Sequence, residues 1–432
     1  MSRLAFVSPL PPAPTGIADY SADVAALLAP GHEVDLFHDQ DAVEADRLPS
    51  GVGLHRAATL VDRHRRRPYD AVIYQMGNGP AHDFLYGLLP RLPGLLVLHD
   101  LVLHHARARM FLDSPEARAY AREPADASRR EAARPALEAY AAELAYSYPG
   151  RARHLFAAQL GTVGALLPYA YPLFRLPVEA SRLTAVHNAF MAEAIRAEVP
   201  AAGVVRVAMP VTAPEATPEQ ERALRARVGL AGGDFVVGCF GLLTPEKQIG
   251  TVARAVARAA VHLPHLRLLL VGPVADRDAL RHRLQQRGIE SRTIVTGRVP
   301  LAELGAYMAA ADVAVHLRYP TARETSAALL RVLGQGRPVV VSDLEHLADL
   351  PDDAVMRADL TDEEGAVTRA LLFLAAHPDA RARLGERARR FVRSAHAPSR
   401  CREDYEVAIA RAAARPAIPH GPWPDHWAAP RD

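Results

Sequence analysis

Residues 313–343, VAVHLRYPTARETSAALLRVLGQGRPVVVSD, do most to limit how this chain can fold. A short apolar strand leads into a loop with Pro320 and Thr321, and Glu324, Thr325 and Ser326 follow. Threonine and serine oxygens take up the orphan N–H groups of a first helical turn, so a helix start is expected there. AALLRVLGQ is apolar around most of its circumference, which predicts a buried helix. Gly336 can take the left-handed conformation that ends it. PVVVSD reads as a strand buried on both faces, as in a parallel sheet. A loop from the carboxyl end of such a strand to a helix N-terminus is where α/β sheets bind phosphorylated ligands.

The same alternation runs through the chain. In the first half, short apolar runs predict strands at residues 4–10, 33–37, 70–76, 95–100, 184–188 and 204–209, with a helix at 17–29. In the second half, strands are expected at 235–241, 266–272, 293–299, 313–317 and 338–343, with helices such as 249–261 and 301–311 between them. TAPEATPEQ, residues 212–220, is polar with two prolines and reads as a linker. Residues 101–182 read as a long, mainly helical insertion in the first domain. Within it His104, His105, Arg107 and Arg109 make a small basic edge that could meet an acidic acceptor or a phospholipid surface, with a solvated helix face the preferred reading. Residues 378–415 read as helical, and Trp423 and Trp427 suggest that the Pro-rich tail docks.

With 432 residues the chain suits two or three domains. Its 51 basic and 49 acidic residues leave a net charge of +2 with no long single-sign block, so nucleic acid is not the expected partner. Cys239 and Cys401 give neither metal spacing nor a disulfide framework. The first residues read as a strand and a Pro-rich turn, too short for a signal peptide. No apolar run reaches a membrane span. A cytoplasmic protein is expected, or one peripheral at the inner membrane face.

Lys247 is the only lysine and Asn78 and Asn188 are the only asparagines in a chain rich in arginine and alanine. Under such a bias the survivors mark places where a substitute would fail, and arginine does not replace a compact point charge. All three lie just past expected strands. Asp39-x-Asp41 and Asp276-x-Asp278 are weak as metal motifs, because that spacing is common by chance.

The residues Arg318-x-Pro320-Thr321-x-x-Glu324-Thr325-Ser326, then Gly336-x-Pro338-Val339-x-Val341-Ser342-Asp343, resemble the donor-binding segment of retaining GT-B glycosyltransferases of family 4. The first loop, Pro11-Pro12 through Thr15-Gly16-Ile17-Ala18-Asp19-Tyr20-Ser21, resembles the same subgroup, as do Gly77-Asn78, His99-Asp100 and the Lys247 that follows Gly241 by six residues. The resemblance implies an α/β GT-B fold: two Rossmann-like doubly wound domains facing a cleft, with a C-terminal helical crossover. The domains would be residues 1–211, a linker at 212–220, 221–395, and a crossover and tail at 396–432.

It further implies transfer of a sugar from a UDP- or GDP-linked donor to a sugar or lipid-linked acceptor, with neither cofactor nor metal. His99, Lys247 and Glu324 would be catalytic. Gly16, Gly241, Arg298, Arg318, Thr325 and Ser326 would bind the donor. Asp19, Tyr20, Asn78 and Asp100 would contact acceptor or sugar. The chain departs from the family at two places. Leu242 stands where many members have an arginine, with Arg298 or Arg318 as the replacement cation. Arg323 and Arg331 stand at the places of the family's Glu-x7-Glu pair, with Glu324 one position late. Two alternatives therefore stay open: a non-catalytic nucleotide-sugar-binding relative and a GT-B-fold nucleotide-sugar epimerase.

Overall fold

The structure is a computed structural model that describes residues 1–160, 165–211, 215–416 and 423–428. The chain divides into two compact units. The first holds residues 1–210, 322–325 and those from 401 onward; the second holds 211–321 and 326–400.

In the first unit seven strands form one sheet: β1 (Arg3–Val7), β2 (Glu33–His38), β3 (Gly53–Arg56), β4 (Ala71–Met76), β5 (Leu95–Leu98), β6 (Leu183–Val186) and β7 (Val204–Arg206). Every pairing is parallel, and the order is β3-β2-β1-β4-β5-β6-β7. The central strands are apolar on both faces because helices cover both: Phe6, Leu36, Ile73 and Leu96 are wholly buried. Each such side chain contributes roughly 1.5–3 kcal/mol relative to exposure. The strand order reverses between β1 and β4, so the loops after these two strands diverge from one crevice at the sheet's carboxyl edge.

Among the described residues between β5 and β6 lie six helices, including His104–Leu112, Ala127–Ser147 and Arg175–Ala180. The basic edge expected here is not on the surface. His104 and Arg107 are buried. His104 Nδ1 donates to the Tyr171 carbonyl at 2.6 Å, while its Nε2 meets the Tyr140 hydroxyl. Arg107 forms a wholly buried ion pair with Glu143. Arg109 pairs with Asp83 at 2.7 Å. The tail completes this core, since Trp427 Nε1 donates to Glu143 at 2.8 Å and the Trp427 ring is buried. Burial alone would raise the Glu143 carboxyl, but Arg107 and then His426 bring it down to about 2.

The second unit has six parallel strands: β8 (Phe235–Phe240), β9 (Leu266–Val271), β10 (Thr293–Gly297), β11 (Val313–His316), β12 (Val339–Ser342) and β13 (Val355–Ala358). Their order is β10-β9-β8-β11-β12-β13. Its reversal lies between β8 and β11, which brings the loops holding Lys247 and Arg318 to one place. The helix Pro218–Arg227 begins inside the expected linker, because Thr217 and Gln220 form a reciprocal capping box. Residues 212–214 of that linker lie outside the described residues, as do 417–422 and 429–432 of the tail. The helix Pro398–Ala414 carries the chain back to the first unit at Cys401. No helix among the described residues is long and apolar enough to cross a membrane.

Candidate functional site

In the first unit the candidate residues gather at the carboxyl ends of β1, β4, β5 and β6. Thr15 caps the helix Gly16–Leu28, its hydroxyl accepting from the Ile17 N–H. A Cβ built on Gly16 would meet nothing within 4 Å, so the helix start faces open space. Asp19 pairs with Arg47 at 2.7 Å. Tyr20 points the other way: it is buried and its hydroxyl lies 2.7 Å from that of Tyr405.

After β4, the Asn78 N–H donates to Asp100 Oδ2 at 2.8 Å, and Asn78 Oδ1 accepts from the Ala106 N–H at 2.9 Å. The side chain thus caps the first turn of His104–Leu112 from a distance, a role different from the left-handed turn residue or sugar ligand considered from sequence. Asn188 is a cap too, rather than the end of a strand. Its Oδ1 accepts from the Met191 N–H, and its Nδ2 donates to the Arg323 carbonyl and to Thr325 Oγ1. Both surviving asparagines use amide oxygen to satisfy a helix, and Asn188 also uses its amide nitrogen.

Residues 322–325 belong to this unit through such bonds. The Ala322 carbonyl accepts from the Leu101 N–H at 3.0 Å, and an Arg323 guanidinium nitrogen donates to the Tyr169 carbonyl at 3.0 Å. Arg323 holds a left-handed backbone, φ 62°, which costs a residue with a Cβ on the order of 1–2 kcal/mol. Such strain persists only where neighbours over-determine it, and it concentrates at functional loops. Glu324 sits half-buried between this residue and the Asn188-bound Thr325.

His99 is buried at the end of β5. Its Nε2 lies 2.8 Å from Gln75 Oε1 and its Nδ1 lies 3.2 Å from His187 Nε2. The Tyr20 ring meets it edge-on at 4.7 Å. Burial, then the neighbouring His187 and His82, push its imidazole well below the ordinary range. Both ring nitrogens face partners inside the protein.

The second unit gathers positive charge instead. Gly241 ends β8 at φ 95°, a conformation that a Cβ disfavours, and a Cβ there would lie 2.7 Å from Lys247 Nζ. Lys247 is buried in a 3-10 turn, Pro245–Lys247, and its ammonium donates to the Phe240 carbonyl. Gln248, itself left-handed, then starts the helix Ile249–Ala260. The loops after β8 and β11 are tied together: the Tyr319 N–H donates to the Glu246 carbonyl, and Gln248 Nε2 to the Tyr319 carbonyl.

Arg318 follows β11, its N–H donating to Ser342 Oγ at 3.0 Å. His316, the last residue of β11 and two before Arg318, has its charged form disfavoured by burial, then by Lys247, Arg318 and His346. These groups therefore share one locus at the strand reversal. Arg298 does not join it: it is exposed beyond the edge strand β10. Leu242 is 55% exposed at the place of the family's arginine. Ser326, rather than Thr325, caps the helix Ala327–Gly334, accepting from the Leu329 N–H. Asp276 is the N-cap of Arg277–Gln286.

His316, His346, His187 and Tyr405 were not singled out from sequence. A histidine inside an apolar strand, VAVHL, was the one available signal for His316.

Comparison with known proteins places this geometry. Residues 234–377 match the family model for glycosyl transferases group 1. A sucrose-phosphate synthase from Thermosynechococcus elongatus shares the fold with a TM-score of 0.65 at 16% identity, over 96% of this chain and 100% of that one. The Anabaena protein Alr3699/HepE, solved in complex with UDP-glucose, gives a TM-score of 0.64 at 14% identity, over 95% and 100%. The chain has the GT-B fold, and the segment of its second unit from 234 to 377 is similar to the group 1 glycosyl transferases. An alpha-monoglucosyldiacylglycerol synthase of Acholeplasma laidlawii is 26% identical over 125 residues, 29% of this chain. The match spans about a third, 31%, of that relative's length.

Proposed function

We propose that this protein is a retaining glycosyltransferase that moves a sugar from a nucleotide-diphosphate donor to an acceptor hydroxyl. The observation that carries the reading is the cationic locus of the second unit. Lys247 and Arg318 both act on His316 at the strand reversal, inside the segment that matches group 1 glycosyl transferases. A departing diphosphate needs fixed positive charge in a site that excludes water, where such charge acts most strongly on the transition state. Lys247 would take the phosphate oxygens and Arg318 would replace the cation missing at Leu242. Glu324 would hold sugar hydroxyls, on a loop whose strained backbone fixes its place. His99 would be a rigid neutral surface beside the sugar rather than a base. The leaving phosphate can accept the acceptor's proton on the same face, so no side-chain base is needed.

The UDP-glucose bound by the Anabaena protein and the lipid product named by the Acholeplasma enzyme support a UDP-sugar donor and a sugar or lipid-linked acceptor. The setting would be envelope polysaccharide or glycoconjugate synthesis, in the cytoplasm or at the inner membrane face. Arg331 at a usual carboxylate position favours a second reading, a non-catalytic sugar-nucleotide binder.

One assay separates the readings: release of nucleoside diphosphate from UDP- and GDP-sugars, with and without EDTA. The transferase releases it slowly without acceptor, faster with one, and unaffected by chelator. No release from any donor that nevertheless binds would support the non-catalytic reading. Loss with EDTA and recovery with Mn²⁺ would overturn the metal-independent mechanism.

A further inference from the structure

A buried chain of five side chains crosses the first unit from the helix Gly16–Leu28 to the end of β6. The Tyr20 and Tyr405 hydroxyls lie 2.7 Å apart. Gln75 Nε2 is 3.1 Å from the Tyr405 hydroxyl, and its Oε1 is 2.8 Å from His99 Nε2. His99 Nδ1 is 3.2 Å from His187 Nε2, and His187 Nδ1 is 3.0 Å from the Val207 carbonyl. Tyr405 belongs to the returning helix Pro398–Ala414.

The protons in this chain can be counted from its fixed end. A carbonyl only accepts, so His187 carries a proton on Nδ1 and a neutral His187 presents a bare Nε2. His99 must then donate from Nδ1. A neutral His99 is left with a bare Nε2 facing Gln75 Oε1, two acceptors at 2.8 Å. Either one histidine of the pair is an imidazolium, or the isosteric ends of the Gln75 amide are exchanged. Turned by half a rotation, the amide donates from Nε2 to His99 and accepts at Oε1 from Tyr405, whose hydroxyl accepts from Tyr20. Every bond in the chain is then satisfied with no charge.

We propose that Gln75 lies in this turned orientation, and that Tyr405 and Gln75 are positioning residues that hold His99 as a neutral imidazole protonated on Nδ1. The uncharged pair fits a site that burial and adjacent imidazoles keep from taking a proton. Titratable groups facing the ring are Tyr20 from the first helix, His82 from the turn after β4, His187 after β6 and, through Gln75, Tyr405; Cys401 lies beside the two tyrosines. The effect on turnover rests on the transferase reading above; the proton placement rests on the contact geometry and on the burial of both rings.

The test is long-range ¹H–¹⁵N correlation of histidine side chains in the full-length protein, with signals assigned by their loss in His99→Gln and His187→Gln. Both rings are expected to be neutral and Nδ1-protonated from about pH 8 down to about pH 5.5, although unperturbed histidine titrates in that range. An imidazolium, or a proton on His99 Nε2, overturns the proposal. Gln75→Glu puts a pure acceptor beside Nε2, so His99 should become protonated near neutral pH. Tyr405→Phe removes the donor that fixes the amide. His99 should then show mixed tautomers, and kcat should fall about tenfold with KM little changed, the scale of one neutral hydrogen bond. Unchanged His99 signals and unchanged kcat in Tyr405→Phe would remove the positioning role; should that variant not fold, Tyr20→Phe and Gln75→Glu carry the same spectroscopic test. Expected tautomers in a protein that turns over no donor would leave the proton placement standing and sink the transferase reading.

Discussion

The two sheets follow the same construction and reverse strand order at the same kind of place, yet their switch points hold opposite chemistry. In the first unit, Tyr20, Gln75, His99, His187 and Tyr405 form one buried chain of polar contacts, and the charged form of His99 is disfavoured by burial and then by its neighbouring imidazoles. In the second, burial first and then the positive charge of Lys247 and Arg318 disfavour the charged form of His316. The comparison teaches that topology fixes where a site lies and leaves its character to a few side chains at strand ends. On the proposed reading, one unit would offer a neutral surface to the sugar and the other would receive the anionic diphosphate.

The largest expected effect breaks the first unit's frame rather than its site. Glu143→Ala leaves Arg107 buried without its partner, which should cost about 3–5 kcal/mol in urea unfolding. A loss under about 1 kcal/mol would mean the tail and insertion do not depend on that pair.

Next comes the cationic side of the comparison. Lys247→Ala should lower turnover about a hundredfold, roughly 3 kcal/mol, and Lys247→Arg should also be impaired because a point charge is required. Near-normal rates in the arginine variant would show that this lysine survives in the sequence by chance. Glu324→Gln should lower turnover strongly while affinity for the bare nucleotide, which lacks the sugar, stays unchanged. Full turnover would return that stretch to a plain loop before a helix cap.

The neutral side has a signature in pH. Burial, then in His82 the nearby Arg109 and in His104 the nearby His105, hold these two imidazoles at about 4. Their folded values are depressed, so the unfolded chain binds more protons below its ordinary histidine range. Stability is therefore full above about pH 7 and lost as pH falls, by about 2 kcal/mol per histidine at about pH 5. Urea midpoints at the two pH values test this, and His104→Gln should flatten the slope.

Much of this was legible in the sequence because it is written in local patterns. Buried parallel strands announce themselves as apolar runs, and Ser326, Gly336 and the helix from Ile249 follow from caps and periodicity. The edge strands β3 and β13 were missed because each has four residues and one exposed flank, so GLHR and VMRA carry no apolar run. The basic edge at His104–Arg109 was misread because the partner of Arg107 lies thirty-six residues away and its lid, Trp427, far beyond. Asn78 and Asn188 were singled out by their rarity in the composition. Their work as caps depends on which helix starts pass nearby. Likewise the composition pointed to Lys247, while only the strand order distinguishes Arg318 from Arg298.

The central claim is that nucleoside diphosphate is held by the second unit's cations and not by the first unit's histidine network. Calorimetry of UDP and GDP on the wild type, Lys247→Ala and His99→Gln measures it directly. The account predicts that one of the two nucleotides binds, that Lys247→Ala weakens it at least tenfold, about 1.4 kcal/mol or more, and that His99→Gln leaves it unchanged. Equal binding by the wild type and Lys247→Ala, with loss in His99→Gln, would contradict it.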